Sequence, residues 1–210
     1  MSESISALGL SDVVLAGHRG NIDILVLAFG GTDPHLRALA LGGLAKNNAL
    51  NVGHIRTGES DPADVVRHRI AQLGAVELRV ELLTLLCDHN FAIAETAAWS
   101  LGERVDITDE EFNLLITFAG NHEHQMVRES CVAALGAIGD PAALPAILAA
   151  CSDKPAVRRR AILALAPFEG PEVEAALQRA LGDRDWQVRQ AAEDLLAIDT
   201  SDPDNALDMT

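Results

Sequence analysis

Val127-Arg128-Glu129-Ser130-Cys131-Val132-Ala133-Ala134-Leu135 recurs as Val157-Arg158-Arg159-Arg160-Ala161-Ile162-Leu163-Ala164-Leu165, and again as Val188-Arg189-Gln190-Ala191-Ala192-Glu193-Asp194-Leu195-Leu196. Each copy opens on an aliphatic residue and an arginine, carries a small residue four places on and closes on leucine eight places on, which is one apolar face of a helix. The copies are spaced by 30 and then 31 residues. A fixed period of that size marks stacked two-helix repeats, in which no hairpin can bury its own apolar face and neighbours bury it for one another.

Working outward, the closing leucine and the Gly or Ala after it recur as Leu44-Ala45, Leu73-Gly74, Leu101-Gly102, Leu135-Gly136, Leu165-Ala166 and Leu196-Ala197. These define six units. Eight residues earlier stand Leu36, Val65, Ile93, Val127, Val157 and Val188, and four residues earlier Ala40, Arg69, Ala97, Cys131, Ala161 and Ala192. Small residues there let helices approach closely, so Arg69 predicts a looser or bent second unit. A shorter helix precedes each of these, over about 21–30, 48–58, 77–87, 109–120, 142–152 and 171–182. Between the two helices lie Asp33-Pro34, Asp61-Pro62, Asn90, Lys154-Pro155 and Asp185, which carry the chemistry of helix starts. Thr108 with Glu111 three residues on predicts a capping box. The domain reading is an N-terminal capping helix within 1–19 (about Ile5–Ala16), a solenoid over 20–197 and an acidic flexible tail at 198–210.

Composition narrows the function classes. The formal net charge is −15 and aromatic residues are 3%, with no tyrosine. A polyanionic partner would be repelled, and stacking platforms for single strands are lacking, so nucleic acid is excluded as a main partner. No apolar run is long enough to span a bilayer and no basic leader precedes one, which predicts no membrane partner and a cytoplasmic protein. Cys87, Cys131 and Cys151 form no Cys-x-x-Cys pair and read as buried thiols of a reducing compartment.

The pattern resembles HEAT repeats, in the subtype named after phycobilisome lyases. The resemblance covers about residues 20–197. It is most specific from Val127-Arg128 through Leu135-Gly136-Ala137-Ile138-Gly139-Asp140-Pro141-Ala142-Ala143-Leu144-Pro145-Ala146-Ile147. It implies an all-α, right-handed α-solenoid of about six helix pairs that serves as scaffold, adaptor or, occasionally, enzyme. It also implies that the arginines after the aliphatic residue, Arg37, Arg128, Arg158 and Arg189, form a ladder to turn aspartates such as Asp153 or Asp183. The second and third units have Val66 and Ala94 there and fall outside that series.

Where the units differ from one another, stacking does not dictate the residue and a partner can. The inner row of second helices offers Arg67, His68, Glu95, Glu129, Arg159 and Arg160, and one turn after Glu95 stands Trp99, where the other units have Gly42, Ala71, Ala133, Leu163 and Asp194. Trp99 reads as an exposed anchor, and together these seven residues are the expected partner-binding set. Trp186 reads as packing in the last unit. Deoxyhypusine hydroxylases resemble this chain in repeat type and hold two irons on adjacent His-Glu pairs of second helices. Here His68 is followed by Arg69 and Glu129 by Ser130, so those ligands are missing. His122-Glu123-His124, with Asp88-His89 and His35 in other turns, is the remaining metal candidate, and it lacks the His-Glu-x-x-His helix spacing. No metal and no cofactor are expected. The reading is a non-enzymatic protein–protein interaction scaffold for a basic protein segment. Its alternatives are a bilin-lyase-like enzyme or accessory, implied by the repeat subtype, and a metal-dependent hydroxylase.

Overall fold

The computed structural model describes residues 8–200, with backbone alone for 198–200. The fold is an all-α solenoid, and no strand occurs among the described residues. A single helix, α1 (Leu10–Arg19), precedes six pairs. These are α2 (Ile22–Phe29) with α3 (Pro34–Lys46), α4 (Val52–Glu59) with α5 (Asp64–Leu73), and α6 (Leu82–Leu86) with α7 (Phe91–Gly102). Next come α8 (Asp109–Asn121) with α9 (Gln125–Ile138), α10 (Leu144–Ala150) with α11 (Pro155–Ala164), and α12 (Pro171–Ala180) with α13 (Trp186–Thr200). A 3-10 turn, Pro141–Ala143, leads into α10.

Two compact units divide the chain between Ser100 and Leu101, a boundary the repeat period does not reveal. It falls inside α7, just ahead of the connection 103–108 that makes one repeat interval longer than the rest. In the first unit α1 packs on α3 and α3 on α5; in the second, α9 packs on α11 and α11 on α13. α1 therefore occupies the place of a second helix, with no first helix before it among the described residues. It starts at Leu10, where the Gly9 amide donates to Asp12 Oδ2, and ends where Gly20 turns left-handed at φ 72°. The expected start at Ile5 lies outside the described residues, as does 201–210 of the expected tail. Residues 198–200 belong to α13.

Local chemistry explains the helix limits. Asn21, Asp33, Asn51 and Thr108 each accept a backbone amide of their own first turn, and Thr108 with Glu111 forms the expected reciprocal box: Oγ1 accepts from the Glu111 amide and Glu111 Oε2 from the Thr108 amide. α6 is only five residues long, much shorter than the 77–87 expected from pattern. Residues 77–81 instead form a turn in which Arg79 donates to Glu77 and to the Leu50 carbonyl.

The ladder is present and reaches further than its sequence signal. Arg37 meets Asp61, Arg128 meets Asp153 and Arg158 meets Asp183, each through two near-parallel hydrogen bonds of 2.6–2.8 Å. Paired bonds of this kind fix both partners' geometry. The same aspartates are held a second time. Arg67 donates to the Asp61 carbonyl, Arg158 to the Asp153 carbonyl and Arg189 to the Asp183 carbonyl. Each such turn is thus gripped by its own repeat's arginine and by the preceding one. The guanidinium of Arg128 and that of Arg158 hold the carboxyls of Asp153 and Asp183 below the usual carboxylate range.

The second pair departs from the expected register by one residue. Val66 and Arg67 are buried and Val65 only half-buried, so Val66-Arg67 is this repeat's aliphatic-arginine pair. The position four residues on is then Ile70, fully buried, and not Arg69, whose guanidinium lies over Gly42. Leu73 is half-buried, whereas Leu44, Leu101, Leu135 and Leu165 are at most 1% exposed. The slot of the closing leucine falls on Gly74, and Leu82 fills it: a Cβ on residue 74 would stand 2.5 Å from Leu82 Cδ2.

Among the thiols, Cys131 is buried and pushed up to about 12 by desolvation, and Cys151 is half-buried and pushed up to about 11. Cys87 is exposed at the end of α6, against the expectation of burial, because α6 ends just before it. None is in a disulfide, and no helix among the described residues is long and apolar enough to cross a membrane.

Helix spacing in the second unit is set by backbone contact. A Cβ on Gly136 would lie 2.6 Å from Ala164 Cβ and 2.7 Å from Ala164 Cα, and one on Gly102 2.8 Å from Ala134 Cα. Alanine gains about 1 kcal/mol over glycine inside a helix, but overpacking costs about 1–3 kcal/mol. Gly136→Ala is therefore expected to lower the melting temperature, while Gly120→Ala in α8, where nothing lies within 4 Å, raises it. Thermal melts followed by circular dichroism check this. Shifts of the same sign would show that backbone contact does not set the spacing.

Candidate functional site

In the first unit α5 and α7 form a cleft of about 370 Å³ lined by Gln72, Glu95, Thr96 and Trp99. The sequence of α7 accounts for its shape. Ala94, Ala97, Ala98 and Leu101 occupy the buried arc, and Trp99 falls outside that arc with 48% of its surface exposed. Glu95 lies one turn before it, on the same side of the helix. Two buried hydrogen-bonding groups hold α7 to α5 here. Ser100 Oγ donates to the Ala71 carbonyl at 2.7 Å, and His68 Nε2 lies 2.9 Å from Thr96 Oγ1.

The Thr96 hydroxyl also sits 2.9 Å from the Ala92 carbonyl one turn back, the usual local acceptor for a helical threonine. When its single proton goes to Ala92, the hydroxyl can only accept from a His68 tautomer protonated on Nε2. A threonine activated as a nucleophile would need the reverse polarity, with the imidazole accepting. His68 and Thr96 thus form a bracket between helices, and the exposed chemistry of the cleft is an indole face beside a carboxylate and an amide.

The expected partner-binding residues fall into three groups. His68, Glu95 and Trp99 come together at this cleft, with His68 behind Thr96. Glu129, Arg159 and Arg160 stand on α9 and α11 of the second unit, half-buried, with Arg160 Nη2 3.6 Å from Glu129 Oε1. Arg160 Nε is buried without an acceptor. Arg67 is a correction. It is 8% exposed and committed to the ladder, with Nε on Asp88 Oδ2 at 2.7 Å and Nη2 on Asp64 at 2.7 Å, so it has no face to offer a partner. The one-residue register shift moves it from the inner row to the ladder position. Burial disfavours ionisation of Asp88, yet Arg67 and the Asn90 amide more than offset it and hold that carboxyl below its ordinary range.

Gln72 and Thr96 are the cleft residues outside the expected partner-binding set. Gln72 follows His68 by one helical turn, and Thr96 shares its slot with Glu95, so helical spacing from the chosen residues could have found both. The turn histidines do not converge. His122 Nδ1 accepts from the His124 amide with its ring against Phe118, and His89 stands exposed beside Asp88. Among the described residues no group of three or more His, Cys, Asp or Glu is placed to hold a metal ion.

A family model for HEAT repeats matches residues 82–166 and 147–206, together more than half of the chain. The phycobilisome-lyase subtype is not part of that match. Among solved structures, Escherichia coli YibA is similar with a TM-score of 0.57 at 21% identity, over 79% of this chain and 64% of that one. The likeness is one of fold, and the chain spans less than two thirds of YibA. Human deoxyhypusine hydroxylase in complex with glycerol aligns with a TM-score of 0.47 at 22% identity, over 89% of this chain and 76% of that one. No curated protein sequence matches.

Arg67→Ala is expected to lower stability at neutral pH by about 2–4 kcal/mol, because it strands the buried Asp88 carboxylate. Asp88 has a depressed pKa in the folded state, so the pair's contribution is full above the ordinary value of 3.8 and is lost as pH falls through the lower folded value. The gap between wild type and variant should close below about pH 3.8 in denaturant melts. Arg159→Ala should stay within about 0.5 kcal/mol at every pH. A small, pH-independent effect at Arg67 would overturn its place in the ladder.

Proposed function

Because the chain belongs to the HEAT-repeat family, we propose that it is a non-enzymatic scaffold or adaptor that takes a segment of another protein along its second helices, anchored on Trp99. The observation that carries this reading is the half-exposed indole at the mouth of a cleft, in a helix whose other large apolar residues are mostly buried. Large, rigid aromatic side chains of this kind dominate the energetics of protein interfaces. Glu95 beside it and the net charge of −15 favour a segment that carries lysine or arginine. A ring face next to a carboxylate suits the aliphatic stem and cationic head of such a residue. Three thiols outside any disulfide fit a reducing, cytoplasmic setting.

The test is affinity capture from the native cell with the wild-type chain and with Trp99→Ala, followed by mass spectrometry and a binding isotherm for the protein recovered. A hot-spot anchor is worth about 2 kcal/mol or more, so Trp99→Ala should weaken binding by about thirtyfold. Its helical content and melting temperature should stay near wild type. Unchanged affinity would remove Trp99 from the interface, and a collapsed melting temperature would return it to the core.

A further inference from the structure

We infer that two copies of this chain pair through the face formed by α1 and α2. A solenoid end is normally closed by a helix with a polar outer surface. On α1 and α2 large apolar side chains stand out between the charged ones. Leu10 is 57% and Leu27 55% exposed, and Val14, Leu15 and Val26 stand out on the same two touching helices. α2 reads Ile22-Asp23-Ile24-Leu25-Val26-Leu27-Ala28-Phe29, apolar all round apart from Asp23, which is the composition of a helix covered on every side. α1 stands in the place of a second helix, and among the described residues its larger helix contacts are with α3 and α2 alone.

The charges of α1 indicate what covers it. Asp12 lies three residues before Leu15, and His18, with Arg19 beside it, lies three residues after. Two α1 helices laid antiparallel across a two-fold axis near Leu15 place Asp12 of each copy opposite His18 and Arg19 of the other. Lys46, whose Nζ lies 3.1 Å from His18 Nδ1, adds positive charge at the same end. The face is thus apolar in the middle and self-complementary in charge at its ends, as a two-fold interface must be. Head-to-tail stacking is disfavoured by the last pair, α12 and α13, which exposes Glu172, Glu174, Glu193 and Asp194. An apolar face gains nothing against four carboxylates.

Sedimentation equilibrium of the full chain tests the pairing, with an expected mass of twice 22.3 kDa. Leu15→Glu and Leu27→Glu should each yield the monomer mass with unchanged helical content. As a check independent of how those variants fold, Leu15→Cys in a Cys87→Ser background should cross-link to a dimer on mild oxidation, whereas Trp186→Cys in the same background should not. A wild-type chain that stays monomeric at every concentration reached, or a dimer that survives both glutamate substitutions, would overturn the inference. Either outcome would leave the Trp99 cleft untouched.

Discussion

A guanidinium reaching from one helix pair to the turn of the next is the interaction on which the rest of this structure depends. The apolar faces of the second helices can slide over one another with little change in buried area, because the hydrophobic effect has no direction. The bidentate bonds of Arg37, Arg67, Arg128 and Arg158 do have direction, and they fix which turn of one repeat faces which helix of its neighbour. The backbone contacts at Gly102 and Gly136 then set how near the helices come. Apolar burial supplies the driving force, and the ladder and the glycines supply the register.

With register fixed in this way, the cleft of the first unit follows. α7 is held to α5 by Ser100 and by the His68–Thr96 bracket, and Glu95, Trp99 and Gln72 line the surface with Thr96. None of these has a stacking duty comparable with that of Ala97 or Leu101. A large aromatic ring tolerated half in water at such a position is the feature that separates this helix from its counterparts, and the proposed anchoring of a bound chain rests on it.

Much of this was legible in the sequence. The three copies from Val127 to Leu196 gave the repeat, and most second helices, the Thr108–Glu111 box and the ladder in the second unit appear where the pattern put them. Trp186, expected to pack in the last unit, stands 64% exposed at the start of α13, and the other failures cluster in the second and third pairs and share one cause. Val65 and Val66 are both aliphatic, so either satisfies the periodic pattern, and the choice is made by a contact far along the chain, between Arg67 and Asp88. The wrong choice carried Arg67 into the partner-binding set and made Arg69 look like a crowded core residue. The five-residue length of α6 was likewise hidden, since Leu82 packs into the space over Gly74, a relation that no local periodicity encodes. The cleft was legible only in part: a lone tryptophan among smaller residues is visible in one dimension, but the bracket behind it is a tertiary fact.

The ladder has a consequence for how such a chain changes over time. Its rungs lie in the turns, and the tight contacts of Gly102 and Gly136 lie near the far ends of their second helices, so the solvent-facing residues midway along each second helix are excused from holding the stack together. Substitutions of those exposed residues leave the architecture intact and, on the proposed function, change what is recognised. A protein built on this plan can acquire a new specificity one residue at a time without passing through an unfolded ancestor.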